Sequence, residues 1–328
     1  MKFTVLLLLF STALLQSQQD PQLSQFHNNR LLYNPAYAGM NGFLCIGTAY
    51  RTQWVGFPGA PRTFTGWING RSNLLGGGIG LHFTHDQLGL EKNTRILGSY
   101  SKHFELFKGK LGIGIAGNIQ QKTLNGIWMA PDGTQGDASI PSPSARDWIA
   151  GMDMGFWYHA SHLYFGISGT QLTQSVFRDG PVSYKSVRHY FANAGFRYTP
   201  SFLRNIELIN HLLVKSDGKA LAFDLHSQAW FMEQFYLGAG IRPGDAVIAS
   251  AGFRWLGLLF GYSYDITTSS LRNHSSNSHE ISVRYCVPIV PHERKKKSAE
   301  NPRFMWGERF STPGYKDRFI PPSFNSDW

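Results

Sequence analysis

The chain has 328 residues, with 31 Lys+Arg against 21 Asp+Glu, a formal net charge of +10 and a pI near 9.6. Only 16% of the residues are charged and 14% are aromatic, whereas soluble domains carry roughly a quarter charged residues. The 35 glycines and 24 phenylalanines exclude a coiled coil or a largely disordered chain, and two cysteines exclude a disulfide-built miniprotein.

Residues 1–17, MKFTVLLLLFSTALLQS, follow the plan of a cleaved secretory signal: a Lys, an apolar core from Phe3 to Leu15, then small and polar residues. Cleavage is expected near Ser17 or Gln18, and the lack of a Cys at that junction argues against a lipoprotein anchored through an N-terminal cysteine. Past this point no run approaches the roughly 20 apolar residues of a spanning helix. Residues 18–41 read as an N-terminal periplasmic segment ahead of the main domain.

From 42 to 287 the residue type alternates with period two between turn-forming clusters, which is the strand signature. Leu111, Ile113 and Ile115 face one way and Gly112, Gly114 and Ala116 the other. Leu163, Phe165 and Ile167 oppose Tyr164, Gly166 and Ser168 in the same manner, and Leu221, Phe223 and Leu225 oppose Ala220, Ala222 and Asp224. Strands are predicted at about 42–50, 62–71, 77–85, 94–103, 110–119, 148–158, 162–171, 188–199, 204–214, 219–231, 234–241, 247–255, 258–266 and 278–287. Fourteen is even, and the segments are close to the roughly 9 to 11 residues that cross a bilayer as tilted strands. Tight connections alternate with longer ones at 51–61, 120–147, 172–187 and 267–277. The fold predicted is therefore all-β: a transmembrane antiparallel barrel of about fourteen strands with short periplasmic turns, longer outer loops and both termini in the periplasm.

Aromatic clusters at Phe156, Trp157 and Tyr158, at Trp230, Phe231, Phe235 and Tyr236, and at Trp255 suit an interface girdle. Gly112, Gly114 and Gly117 spell GxGxxG, but inside a strand rather than before a helix, so they read as lumen-facing small residues and not as a nucleotide site. His82 and His85 lie three apart on one strand and point to opposite faces, which argues against a metal pair. Asp132, Asp137, Asp147 and Asp153 lie in or beside a loop without a positioned catalytic partner. No nucleophile elbow or zinc-protease motif is present, so no catalytic, cofactor or metal site is expected. Cys45 and Cys286 fall in strands and read as small apolar fillers, with a disulfide open to them in an oxidising compartment.

Residues 288–328 form a separate basic tail, rich in proline and aromatics, that cannot build an apolar core. Arg294, Lys295, Lys296 and Lys297, with Trp306 after them, are candidates for docking in the periplasm on anionic lipid or an acidic partner. Nucleic acid is not an expected target of an exported chain.

QDPQLSQF at 19–26, NPAYAG at 34–39 and YRTQWVGFPGAPRTFTGWING at 50–70 resemble the opening of the PorP/SprF family of type IX secretion and gliding-motility outer-membrane proteins of Bacteroidota. The plan of the likeness extends over about 20–287 and includes Ser278 to Glu280 in the last strand. The matching motif residues are Asn34, Pro35, Tyr37, Gly39, Tyr50, Arg51, Gln53, Trp54, Gly56, Phe57, Pro58, Gly59 and Pro61. The resemblance implies a non-enzymatic outer-membrane barrel that anchors or assembles exported surface proteins and links to periplasmic lipoproteins or ring components. Gly56, Pro58, Gly59 and Pro61 would shape a compact loop, and Arg51 and Gln53 would hydrogen-bond into a polar lumen. Trp54 and Phe57 are read as a lumen plug, with a hydrophobic contact to a partner as the other possibility. The rival function is a porin or substrate channel, which would line its lumen with charged rings; small and aromatic inward residues favour a filled barrel.

Overall fold

A computed structural model describes residues 21–125, 144–179, 182–202, 205–273 and 276–288. Its strands are β1 (Phe43–Thr52), β2 (Arg62–Ser72), β3 (Gly77–Leu88), β4 (Glu91–Leu106), β5 (Gly109–Asn125), β6 (Ser144–Ala160), β7 (Leu163–Thr170), β8 (Val176–Asp179), β9 (Val182–Lys185), β10 (His189–Tyr198), β11 (Ile206–Ser216), β12 (Leu221–Phe231), β13 (Phe235–Arg242), β14 (Ala246–Trp255), β15 (Leu258–Thr267) and β16 (Ser278–Pro288). Fourteen of them close an antiparallel barrel; β8 and β9 form a separate hairpin between β7 and β10. Each predicted segment corresponds to one barrel strand. The predicted ends fell short in β4, β5 and β6, where the polar runs of Glu91 to Arg95 and Gln120 to Asn125 continue the ladder past the greasy stretch.

Burial is inverted relative to a soluble domain. Ile113, Ile115 and Ile119 of β5, Phe165 and Ile167 of β7, and Phe223 and Leu225 of β12 are exposed, while Asp153, Asp224, His226, Asp265 and Glu280 are buried. An apolar band outside and polar groups within is the pattern of a barrel in lipid. The same period-two rule corrects the expected girdle. Phe156, Phe235 and Trp255 face outward, but Trp157, Trp230 and Tyr236 are inward and buried, because their neighbours in the strand hold the outer face.

Two further expectations change. Cys45 and Cys286 face each other in register on β1 and β16 and form a disulfide across the closing seam of the barrel, so they are not separate apolar fillers. The stretch expected as a periplasmic segment ahead of the barrel, 18–41, lies from residue 21 onward inside the lumen and not on the periplasmic side. Residues 23–40 are buried without interruption, in three 3₁₀ turns at Phe26–Asn28, Arg30–Leu32 and Pro35–Tyr37.

Candidate functional site, a lumen filled by the chain's own N-terminal segment

The plug follows a defined path. Residues Pro21 and Gln22 lie near Lys215, Ser216 and Asp217, where β11 ends; this is the end of the barrel with the longer connections, the loop end. Gly39 packs on the backbones of Gly70 and Gly78, where β2 ends and β3 begins; this is the turn end. The segment thus winds through the barrel before β1 starts.

Asn34 fixes its lower half. The Oδ1 atom accepts the Ala36 N–H at 2.9 Å, and Nδ2 donates to the carbonyls of Phe156 at 3.0 Å and Ile167 at 3.1 Å. One side chain thus starts the third 3₁₀ turn, helped by Pro35 at its first position, and ties it to β6 and β7. The Ala36 carbonyl accepts from Ser101 Oγ at 2.9 Å, and Ala38 O meets His103 Nε2 at 3.0 Å. Close approach requires glycine on the wall: a Cβ on Gly114 would run into the Ala36 backbone, and one on Gly112 would lie 2.7 Å from Ala36 O. Gly39 itself has φ +63 and no room for a Cβ. Gly117 has open space around it, so only two of the three GxGxxG glycines serve the lumen. Tyr37 meets the edge of Trp157, which stacks on Tyr164 at 4.9 Å.

The upper half is held by charge. Ser24 N–H donates to Glu280 Oε2 at 2.6 Å and Gln25 N–H to Glu280 Oε1 at 3.0 Å, while Ser24 Oγ donates to Asp265 Oδ2 at 2.6 Å. Arg51 sits among them, its Nη1 donating to Ser24 Oγ at 2.7 Å and its Nη2 pairing with Asp265 at 2.7 Å. Arg51 Nη1 also reaches Glu280 at 3.3 Å. Arg242 extends the network by pairing with Asp224 and reaching Asp265 at 3.5 Å, and Lys215 pairs with Asp224 at 2.7 Å. Buried carboxylates are tolerable only when their lone pairs are filled. Here two plug amides and a plug hydroxyl complete what the barrel cations begin.

Between these ends His27 stacks on His211 at 4.7 Å and His226 at 4.9 Å, with Gln228 Nε2 at 2.7 Å from its Nε2. Burial, then the neighbouring imidazoles and Arg30, hold His27 well below its usual pKa, so the His27 ring is neutral. Asn29 bonds Thr65 and His82 on β2 and β3; His85 instead bonds Thr94, so the two histidines part as expected. Asp153 is engaged by Arg95, Asn118 and the Gln171 amide. Among the described residues no group of three His, Cys, Asp or Glu is placed to hold a metal.

Of the residues singled out in sequence, Arg51 is in the lumen network. Gln53 N–H donates to Pro61 O within the β1–β2 loop, and Trp54 N–H donates to Ser278 Oγ. Phe57 is 41% exposed in that loop. Trp54 and Phe57 therefore sit at the loop end and the N-terminal segment fills the lumen instead. Arg294, Lys295, Lys296, Lys297 and Trp306 lie outside the described residues, as do Asp132 and Asp137. Asp224, Arg242, Asp265 and Glu280 were missed as a group; charged residues at inward positions of greasy strands were the available signal.

The family model described as type IX secretion system membrane protein PorP/SprF matches residues 15–285. No curated protein matches the sequence significantly. Among solved structures, the CymD monoaromatic hydrocarbon channel superposes with a TM-score of 0.50 at 11% identity, covering 81% of this chain and 93% of that one. Omp33 of Acinetobacter baumannii gives 0.43 at 6% identity over 76% and 100% of the two chains. A FadL homologue of Pseudomonas aeruginosa gives 0.41 at 12% over 81% and 94%. At these identities the likeness to the channel concerns the barrel fold alone. The lipid-facing exterior and the family match place the protein in the outer membrane.

Proposed function

Given that the chain belongs to the PorP/SprF family of type IX secretion system membrane proteins, we propose that it is a self-plugged, non-enzymatic barrel that anchors or assembles exported surface proteins and links them to periplasmic ring components. The observation carrying this reading is the plug: a lumen occupied by a buried, hydrogen-bonded segment of the same chain offers no aqueous path for a diffusing solute. A porin or substrate channel, the rival function, needs such a path. A closed barrel leaves its two rims and its tail as the surfaces for work. The loop end would meet exported proteins, and the tail, with Arg294, Lys295, Lys296, Lys297 and Trp306, would meet periplasmic lipoproteins or ring components. A merely solvated tail is the competing account.

The test is co-purification from intact outer membranes after crosslinking, with partners identified by mass. Recovery of secretion-system lipoproteins or exported surface proteins supports the reading, with fewer periplasmic partners after deletion of 292–328. A barrel that emerges alone, or one that conducts, contradicts it.

A further inference from the structure

A vestibule with a cavity volume of about 50 Å3, continuous with open solvent, lies at the turn end, between the plug and the ends of β10, β11, β12, β14, β15 and β16. Arg30 of the plug forms part of its wall and is only 4% exposed. The Arg30 guanidinium carbon lies 4.4 Å from the centre of the Tyr164 ring, 5.4 Å from Tyr37 and 5.9 Å from Trp157. Aromatic faces hold a cation in place, but they do not accept its in-plane N–H groups. Arg30 Nε and Nη1 have no hydrogen-bond partner among the described residues, and Arg30 makes no ion pair there.

The surroundings do not supply the missing charge. Arg284 points into the same space and likewise has no ion pair among the described residues. Two further arginines are already engaged. Arg197 pairs with Glu207 at 3.4 Å, and Arg254 donates to the Glu233 carbonyl at 3.2 Å while lying over Trp230. Four guanidiniums therefore face two carboxylates, and the excess is carried by Arg30 and Arg284. A buried cation without a counter-ion is costly, so an anion that reaches it is bound tightly.

We propose that this vestibule binds a carboxylate of an acidic peptide segment of a periplasmic protein. The planar guanidinium matches a carboxylate. Glu207 and Glu233 would repel a dianionic phosphate more than a single carboxylate, and Trp230 gives an apolar wall for the peptide body. Its lining groups lie on the inner face and at the turn-end rim of the strands, while the apolar outer face is the one that meets lipid. Short turns face the periplasm in outer-membrane barrels, which fixes the side from which the peptide comes. The site deepens the proposed link to periplasmic components and rests on that reading for its partner, but its anion chemistry can be measured without any partner.

The experiment uses the full chain in detergent micelles and the anisotropy of fluorescein-labelled hexaglutamate with an amidated C-terminus, against hexaglutamine. Hexaglutamate should bind and hexaglutamine should not. Arg30→Gln should weaken binding about tenfold or more, and so should Arg284→Gln, whose side chain is less buried and which keeps the test valid if the plug variant fails to fold. Lys219→Gln, at the opposite end, should bind like the parent. No binding of hexaglutamate, or equal binding by both arginine variants, would overturn the site. Displacement of hexaglutamate by equimolar inorganic phosphate would overturn the peptide carboxylate in favour of a small-anion site. Hexaglutamate binding without periplasmic partners on co-purification would keep the site and sink the proposed link.

Discussion

The amide of Ser24 donates to Glu280 Oε2 at 2.6 Å, joining the segment that precedes the first strand to the last strand of the barrel across 256 positions of sequence. That bond lies at the loop end, whereas residues 38–40 lie at the turn end, so the plug is held at both ends of the lumen. The same Glu280 faces Arg51 in the register of the closing strand pair. Plug retention and barrel closure therefore share one carboxylate.

Replacing Arg51 with Met should leave Asp265 and Glu280 buried without their main cation. Removing one partner of a buried pair costs on the order of 3–5 kcal/mol. The expected outcome is a barrel that loses heat-modifiable mobility at lower temperature than the parent and shows intermittent conductance; unchanged thermal behaviour would mean the pair contributes little.

Gly114→Val tests the contact between plug and wall without touching a charge. A side chain there meets the Ala36 backbone, and overpacking of this kind costs about 1–3 kcal/mol. The three atoms nearest such a Cβ all belong to the plug, at Ala36 and Pro35, so the strain falls on the plug and not on the strand pairing. A folded barrel with a protease-sensitive N-terminal segment is expected, and an equally protected segment would count against the placement of residues 34–36.

Acid should loosen the plug. His27 is kept neutral in the folded state, with its pKa below the ordinary value, so the unfolded segment takes up a proton that the folded one refuses. Its share of stability is full above about pH 6.5 and falls as the pH drops below that value. Arg30 and Arg284 near it would repel the new charge. Opening events in bilayers should become more frequent from pH 7 to pH 5 and should lose that dependence in His27→Gln; a flat profile in the parent protein would contradict the stack as drawn.

The path of the plug also makes a topological prediction. Gln22 lies beside Lys215 and Asp217 at the loop end, so Gln22→Cys should react with a membrane-impermeant maleimide on whole cells. Reaction only after permeabilisation would turn the barrel over or withdraw the segment.

The strands were legible because each repeats a greasy and a small or polar face with period two over a bilayer-crossing length, as in Leu111 to Gln120. The plug was not. Residues 21–41 have no period, and a stretch with four Asn, two Gln and two Pro reads as exposed unless a polar lumen is there to receive it. Asn34, Pro35, Tyr37 and Gly39 stood out through the family motif, but the motif gave no geometry, and the plugging role went to Trp54 and Phe57 by their size. Both lie past the end of β1, in the β1–β2 loop at the loop end. Arg51, read from the family motif as hydrogen-bonding into a polar lumen, lies buried there against Asp265 and Glu280; Asp224, Asp265 and Glu280 also occupy inward positions of their strands, and that is the signal that groups them.

Planar-bilayer conductance of the purified barrel, compared with a variant lacking 21–41, tests the self-plugged lumen most directly. The parent should stay closed at neutral pH, and the deletion variant, still heat-modifiable because no strand is removed, should form a steady open pore. A parent protein that conducts as freely as the deletion variant would contradict the account.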